Sequence, residues 1–167
     1  MLSDPNVSLH MDVSSLPEAL PEAMLYFADP RRCLAYMASR RWPAGAVRCP
    51  VCGTRNVRFL ENRQLWECRS RHPGAQFSVR VGTIFEDSHV SLCQWLIAIW
   101  IIANSARRVS SYELAGRLGI TQKSAWFVQR RIRCALELRG WKLPALGKLP
   151  DPERYLAVPE NSAGARP

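Results

Sequence analysis

The chain has 167 residues, six cysteines and a net charge of +9, which is enough for one or two small domains. Residues 1–15 contain acids and no apolar core, and the most apolar stretch, 90–103, has 14 residues where a membrane span needs about 20. No signal peptide is visible in this sequence, and no membrane-spanning helix is predicted. With cysteines at metal-ligand spacing, they predict a cytoplasmic protein.

The positive charge is concentrated in the middle of the chain. Residues 41–140 contain 16 basic and six acidic side chains, a net charge of +10. Residues 1–40 have a net charge of −2, and residues 141–167 have +1. A basic block of this kind is typical of a surface that binds nucleic-acid phosphates. An ordinary basic surface that keeps the protein soluble is the alternative.

A helical lead-in is predicted for residues 17–46, with short helices over 17–28 and 30–41. Asp29 is a good N-cap for the second helix, and Pro30 suits its first position, where no intrahelical N–H bond is needed. The Trp-Pro-Ala-Gly sequence that follows ends this helix.

Residues 47–88 are predicted to form a zinc ribbon. Two ligand pairs, Cys49-x2-Cys52 and Cys68-x3-His72, are separated by 15 residues. This paired spacing is typical of a closed tetrahedral zinc site, and Gly53 suits a turn that needs positive φ. A group of buried thiols without metal is the alternative.

The ribbon should contain a β-hairpin. Strands are predicted over 57–60 and 64–67, joined by a turn at 61–63. A closed zinc site has no open coordination position, so the metal is predicted to be structural. Whether the ribbon only stabilises the fold or also contacts nucleic acid stays open at this point.

Residues 89–140 are predicted to form a helix-turn-helix bundle of three helices. The first is capped by Ser91 and carries one broad apolar face. The second begins at a Ser110–Glu113 capping box and ends at Gly119. The third is capped by Thr121 and extends from 122 to about 138, with a buried seam formed by Ala125, Val128 and Ile132. An inert three-helix packing unit is the alternative.

The third helix of this bundle is the predicted recognition helix, whose start enters the major groove. Its first exposed residues can pair with bases, and its later arginines with phosphates. The predicted DNA-binding residues are Gln122, Lys123, Ser124, Trp126, Arg130, Arg131 and Arg133. Trp126 either touches a thymine methyl group or packs under the ribbon. A solvated helix face is the alternative for the arginines.

The remaining cysteines and the two ends of the chain have no pattern that predicts a functional site. Cys33, Cys93 and Cys134 lie outside the zinc pattern and are predicted to be small buried hydrophobes. Residues 1–16 are predicted to be disordered, and the proline-rich residues 141–167 to be an irregular tail. The predicted fold class is therefore α+β, with an N-terminal helical pair, a zinc-ribbon β-hairpin unit, a helix-turn-helix bundle and an irregular C-terminal tail.

A family resemblance extends over residues from about 17 to 139. It is carried by Arg41-Trp42-Pro43, by Cys49-Pro50 and Cys52-Gly53, and by the phrases Gln76-Phe77-Ser78-Val79, Gly82-Thr83-Ile84-Phe85-Glu86-Asp87-Ser88 and Thr121-Gln122-Lys123-Ser124-Ala125-Trp126-Phe127. In this order they resemble bacterial insertion-sequence transposases with an N-terminal zinc ribbon, a helix-turn-helix and a C-terminal DDE-type nuclease of RNase H-like fold. His72 departs from the resemblance, because many members have a cysteine at the position of Arg71.

The resemblance implies binding of double-stranded DNA at the terminal inverted repeats of the element. It also implies a catalytic domain whose carboxylates hold two Mg²⁺ ions. Only 27 residues follow Gly140, with Asp151, Glu153 and Glu160 as their acids. An RNase H-like domain needs on the order of 100 residues. The chain is therefore predicted to be truncated before the catalytic domain, by a frameshift or a premature stop, and not to be an enzyme.

The predicted partners are DNA inverted repeats and a structural zinc ion, with no small-molecule substrate and no membrane. Self-association is left open, since element ends usually require paired subunits. The alternative function is a zinc-ribbon regulatory or interaction protein that binds nucleic acid or a protein partner. An enzyme assembled with a separate catalytic chain is a third, weaker hypothesis.

Overall fold

The computed structural model describes residues 17–137, and the fold there is α+β as predicted. The regular elements are five α-helices, a 3-10 helix at Pro43–Gly45 and a three-stranded antiparallel sheet of order β1-β2-β3. The helices are α1 Leu20–Tyr26, α2 Pro30–Arg41, α3 Leu92–Asn104, α4 Ser111–Leu118 and α5 Gln122–Glu137, and the strands are β1 Val57–Leu60, β2 Leu65–Cys68 and β3 Gln76–Phe77. The predictions for residues 1–16 and 141–167 lie outside the described residues.

Helix α2 begins as its sequence predicts. The Asp29 carboxylate accepts a hydrogen bond of 2.9 Å from the Arg31 backbone N–H, and Pro30 occupies the first helical position. Residues 33–38 are all buried, so α2 is covered around its whole circumference. Helix α1 is shorter than the predicted 17–28 at both ends. It begins at Leu20 because Ala19 is still extended, and it ends at Tyr26 because the backbone must reach the extended conformation that Asp29, the residue before Pro30, prefers.

The sheet is close to the predicted hairpin but not identical to it. Strand β1 has the predicted bounds, whereas β2 begins one residue later than predicted. Gln64 has a φ of 52° and therefore belongs to the turn. The third strand, Gln76–Phe77, pairs with β2 and was not predicted from the sequence.

An aromatic cluster joins the sheet to helix α2. Phe59, Trp66 and Phe77 lie opposite one another on neighbouring strands and share the inner face of the sheet. Trp42, which ends α2, packs edge-on against Trp66 with ring centroids 5.0 Å apart. Edge-to-face contacts of this kind are favourable beyond the area they bury. The ribbon is therefore fixed to the helical part by the residue that ends α2.

Helix α3 lies at the centre of the helical part. Residues 95–101 are all buried, so burial extends around the whole helix and is not limited to the single apolar face that was predicted. The reason is that α1, α2, α4 and α5 all contact α3. Ser91 caps α3 as predicted and forms a capping box with Gln94. None of the helices in residues 17–137 combines the length and the apolar composition that a membrane crossing requires.

Helices α4 and α5 pack against each other across a tight turn at Gly119, whose φ is 64°. Ser110 caps α4 by accepting the Glu113 N–H at 3.1 Å, but the predicted return bond of the capping box is replaced by ion pairs from the Glu113 carboxylate to Arg107 and Arg117. Thr121 caps α5 by accepting the Ser124 N–H at 3.2 Å. The predicted seam of α5 is buried, with Ala125, Val128 and Ile132 at most 1% exposed.

Residues 78–90 form the connecting segment between the ribbon and α3, and arginine side chains from α2, from α5 and from the segment itself donate to its backbone. Arg41 of α2 donates to the Val79 carbonyl at 2.6 Å, and Arg80 donates to the Ser88 carbonyl at 3.0 Å. Burial lowers the pKa of Arg41 to about 10, which still leaves it charged at neutral pH. The Arg41 bond fixes the connecting segment to α2, and the Arg80 bond stabilises the fold of the segment itself.

Candidate zinc centre and nucleic-acid interface

Cys49, Cys52, Cys68 and His72 converge on one point at the end of the ribbon. Their ligand atoms all lie within 4.8 Å of one another. Cys49 Sγ is 3.5 Å from His72 Nε2, and Cys52 Sγ is 3.6 Å from Cys68 Sγ. A tetrahedral site with Zn–S bonds of about 2.3 Å has sulfur–sulfur edges of about 3.8 Å. The cluster is therefore compatible with a structural zinc ion.

Local backbone bonds place the two ligand pairs. At the first, the Gly53 N–H donates to the Cys49 carbonyl and the Cys49 N–H donates to the Thr54 carbonyl, both at 2.9 Å. The turn requires a φ of 70° at Gly53, which a residue without Cβ adopts freely. At the second, the Cys68 N–H donates to the Ala75 carbonyl at 2.7 Å and closes the loop that carries His72.

His72 joins the cluster even though it is the departure from the family resemblance. Its Nδ1 lies 2.8 Å from the Pro73 carbonyl oxygen. This hydrogen bond raises the pKa of His72 and, in the neutral ring, holds the proton on Nδ1. The lone pair of Nε2 then faces the three sulfurs. Metal-bound histidines are commonly oriented by such a second bond.

The cysteines of the cluster and the other cysteines differ in their burial and in the pKa of their thiols. A hydrogen bond with the Thr54 backbone lowers the pKa of Cys52 to about 7, which favours the thiolate that zinc requires. Cys33 is buried and donates to the Phe27 carbonyl, and burial raises the pKa of its thiol. The prediction of burial is wrong for Cys134, which is exposed on α5, and only partly right for Cys93, which is half-buried.

The start of α5 presents two of the predicted DNA-binding residues to solvent. Gln122 and Lys123 are exposed. Gln122 Nε2 donates to Ser111 Oγ at 2.8 Å and so ties the first turn of α5 to that of α4. Ser124 is half-buried, with its hydroxyl 2.9 Å from that of Thr121, so it belongs to the helix cap.

Trp126 and Arg130 follow on the exposed side of α5. Trp126 is 50% exposed, which argues against the alternative that it packs under the ribbon. The Arg130 guanidinium lies over the indole, 5.4 Å from the ring centroid. This distance is within the range of a cation–π contact.

Arg131 and Arg133 do not share that exposure. Arg131 Nη1 donates to the Ile84 carbonyl at 2.9 Å and also to that of Glu86, and its guanidinium lies 4.5 Å from the centre of the Phe127 ring. Arg131 thus anchors α5 to the connecting segment. The phosphate contact predicted for it stays a prediction. Arg133 is half-buried.

Four exposed arginines lie close to the zinc ligands in the chain. From the sequence they counted only toward the net charge of residues 41–140 and were not singled out as site residues. They lie within three residues of a ligand, and no carboxylate in residues 17–137 is within ion-pair distance of any of them. These ribbon arginines are Arg48, Arg55, Arg69 and Arg71. Their position next to the ligands was visible in the sequence, but their freedom from ion pairs was not. By contrast, Arg58 is paired with Glu67 at 2.6 Å on the sheet.

Residues 29–70 match the family profile of the transposase zinc-ribbon domain named for IS1595. The match covers 42 of the 167 residues and includes three of the four cluster ligands. It supports a zinc ribbon of the kind that insertion-sequence transposases carry at the N-terminus, and it contains no catalytic domain. No curated protein and no solved structure gave a significant match.

Proposed function

We propose that this chain is the DNA-binding part of an insertion-sequence transposase and that it recognises the terminal inverted repeats of its element. The observation that carries the proposal is the combination of a transposase-type zinc ribbon with a capped helix, α5, whose first turn is exposed and polar. The α4–Gly119–α5 arrangement supports a helix-turn-helix, a motif in which the second helix enters the major groove.

Within this proposal the residues of α5 have different roles. Gln122 and Lys123 lie at the start of the helix, where side chains reach base edges, and glutamine pairs well with adenine. Arg130 lies two turns further on and contacts phosphates, which position the protein without reading sequence. Arg131 is omitted because the connecting segment already binds it.

The ribbon contributes zinc-dependent structure and a basic surface. Three thiolates and a neutral histidine around Zn²⁺ have a net charge of −1, so the four ribbon arginines leave this end of the ribbon positive. Positive surfaces of this kind attract the phosphate backbone. We propose that the ribbon arginines add sequence-independent affinity to the specific contacts of α5.

We also propose that this chain does not cleave DNA by itself. A zinc ion held by four protein ligands has no open position for water or a phosphate oxygen. The test is incubation of the chain with Mg²⁺ and DNA that contains the element ends. Strand cleavage that depends on the chain would overturn this part of the proposal.

The test of recognition is a comparison of two duplexes by fluorescence anisotropy. One contains the terminal inverted repeats of the proposed element, identified by sequencing the DNA around the gene, and the other contains the same bases in shuffled order. The zinc-loaded full chain should bind the first more tightly, with an affinity that falls steeply as salt increases. Equal binding of the two duplexes would contradict element-end recognition.

Substitutions in α5 refine this test. Gln122→Ala should relax the preference at one base pair, at a cost of about 1–3 kcal/mol on the preferred sequence. Arg130→Ala should weaken binding to all sequences alike. Ser111→Ala is the matched control, because it removes the hydrogen bond to Gln122 and leaves the glutamine in place. If Gln122→Ala and Arg130→Ala act alike, α5 is not the recognition helix.

A second candidate function is a zinc-ribbon protein that binds a protein partner. It is favoured by Val51, which is 61% exposed between the first two zinc ligands. This alternative predicts no preference for the inverted repeats. It also predicts that Val51→Ser weakens the protein complex without changing DNA binding.

A further inference from the structure

Trp126 is the exception among the tryptophans that the structure describes. Trp42, Trp66, Trp95 and Trp100 are at most 8% exposed, whereas Trp126 is 50% exposed. Exposing an indole forgoes the free energy that its burial would contribute. Packing within residues 17–137 therefore does not explain the exposed indole, and a ligand that covers the ring would.

The surroundings of Trp126 are cationic. Lys123 lies three residues before it and Arg130 four residues after it, so all three share one side of α5. Both cationic residues are exposed. The Arg130 guanidinium lies over the indole, 5.4 Å from the ring centroid. The result is an exposed aromatic side chain with a cationic residue about one helical turn away in each direction along α5.

This combination matches an unpaired nucleobase better than a base pair. Within a duplex the faces of the bases are covered by their neighbours, and only their edges are offered in the grooves. An unpaired base exposes a face that stacks on an aromatic ring, while the phosphates on either side of it pair with cations. Lysine and arginine one turn from the ring suit those phosphates.

We propose that Trp126, with Lys123 and Arg130, forms a stacking site for one unpaired nucleobase of DNA. The site rests on the proposed function, since it uses the same exposed side of α5. It adds a preference for DNA in which a base is released from pairing, as in a single strand or an opened end. Stacking on an aromatic residue strengthens binding by about tenfold per base.

The experiment uses one oligonucleotide in two forms. A strand that contains the fluorescent base 2-aminopurine is studied alone and after annealing to its complement, with the zinc-loaded full chain. Anisotropy of an end label gives the two dissociation constants. The fluorescence of 2-aminopurine is quenched when the base stacks, so it reports contact with the indole.

Three variants separate stacking from general loss of binding. Trp126→Leu keeps apolar volume and removes the aromatic face, and Trp126→Phe keeps a smaller face. Tyr112→Leu is the matched control, because Tyr112 is the other exposed aromatic residue in 17–137 and lies on α4. Zinc content and far-UV circular dichroism establish that each variant is folded.

The expected result is quenching with the single strand that Trp126→Leu abolishes and Tyr112→Leu preserves. Trp126→Leu should also weaken single-strand binding by about tenfold and duplex binding by less, and Trp126→Phe should retain part of the affinity. The stacking site is overturned if Trp126→Leu leaves the quenching intact or weakens both forms equally.

The two proposals fail in different ways. Binding of the single strand that depends on Trp126, with no preference for the inverted repeats, would support the stacking site and contradict element-end recognition. Preference for the inverted repeats without quenching would support recognition and overturn the stacking site. Absence of binding to either form would overturn both.

Discussion

Arg131 Nη1 donates a hydrogen bond of 2.9 Å to the backbone carbonyl oxygen of Ile84. The same nitrogen also donates to the carbonyl of Glu86. One guanidinium on α5 therefore satisfies two carbonyls of the segment that leaves the zinc ribbon. Its neighbour Arg130 is exposed and lies over Trp126 instead. Adjacent arginines on one helix thus differ: Arg131 stabilises the fold, whereas Arg130 is part of the exposed surface of α5.

Substitution of these two arginines should affect the stability of the fold to different extents. Arg131→Gln should lower the free energy of unfolding by about 2 kcal/mol, because two carbonyls of half-buried residues lose a charge-assisted donor. Arg130→Gln removes the same charge from an exposed position and should change stability by less than about 0.5 kcal/mol. Urea unfolding of both variants measures the difference. Equal losses of stability would contradict the anchoring role of Arg131.

The zinc centre should be required for the folded ribbon. Cys49→Ser removes a ligand, so we expect loss of bound zinc and loss of the near-UV circular dichroism that the packed Trp42 and Trp66 produce. His72→Cys should retain zinc, since a thiolate can replace the imidazole in a closed site.

Cys134→Ser is the control for this prediction. It also removes one thiol, but from an exposed position on α5 outside the cluster. We expect one zinc ion per chain in the control by elemental analysis. A ribbon that keeps its aromatic signal in the presence of a strong chelator would show that the metal is not needed for folding.

The parts of the fold that were predicted correctly depend on local chemistry. Asp29 before Pro30 defines the start of α2, and Gly119 with positive φ ends α4, because capping and turn residues act within a few positions. Strand β3 was missed since it has only two residues and exists through its pairing with β2. The two-residue length leaves no alternation that a sequence pattern could reveal.

The same distinction applies to the candidate site. The four zinc ligands were predictable because their spacing in the chain determines their chemistry. The different surroundings of Arg130 and Arg131 were not, since the connecting segment that binds Arg131 lies more than 40 residues earlier. The exposure of Trp126 was left open for a similar reason. It depends on where the ribbon sits, and no local pattern specifies that.

Stability should fall at alkaline pH because of Cys33. Burial, and the neighbouring Cys93 thiol, raise the pKa of Cys33 in the folded state. The unfolded chain therefore loses this proton first, so the contribution is complete below the ordinary thiol pKa of about 8.5 and decreases above it. The slope is at most about 1.4 kcal/mol per pH unit for one group.

Urea unfolding of zinc-loaded protein between pH 7 and pH 10 measures this dependence. Cys33→Ala should reduce the slope above about pH 8.5, because the alanine side chain does not titrate. Cys134→Ser again serves as the control, since its thiol is exposed. An unchanged slope in Cys33→Ala would assign the alkaline loss to other groups.

The ribbon arginines should contribute to the salt dependence of DNA binding. Arg55 and Arg69 are exposed and free of ion pairs with described carboxylates, so their guanidinium groups can neutralise phosphates. Each such contact adds about −0.9 to the slope of log K against log salt concentration. Arg55→Gln and Arg69→Gln should each make the slope shallower by this amount, on inverted-repeat and shuffled duplexes alike. Arg58→Gln is the matched control, because Glu67 already holds that guanidinium at 2.6 Å. If Arg58→Gln changes the slope as much as Arg55→Gln does, the ribbon arginines have no special part in phosphate binding and this prediction is wrong.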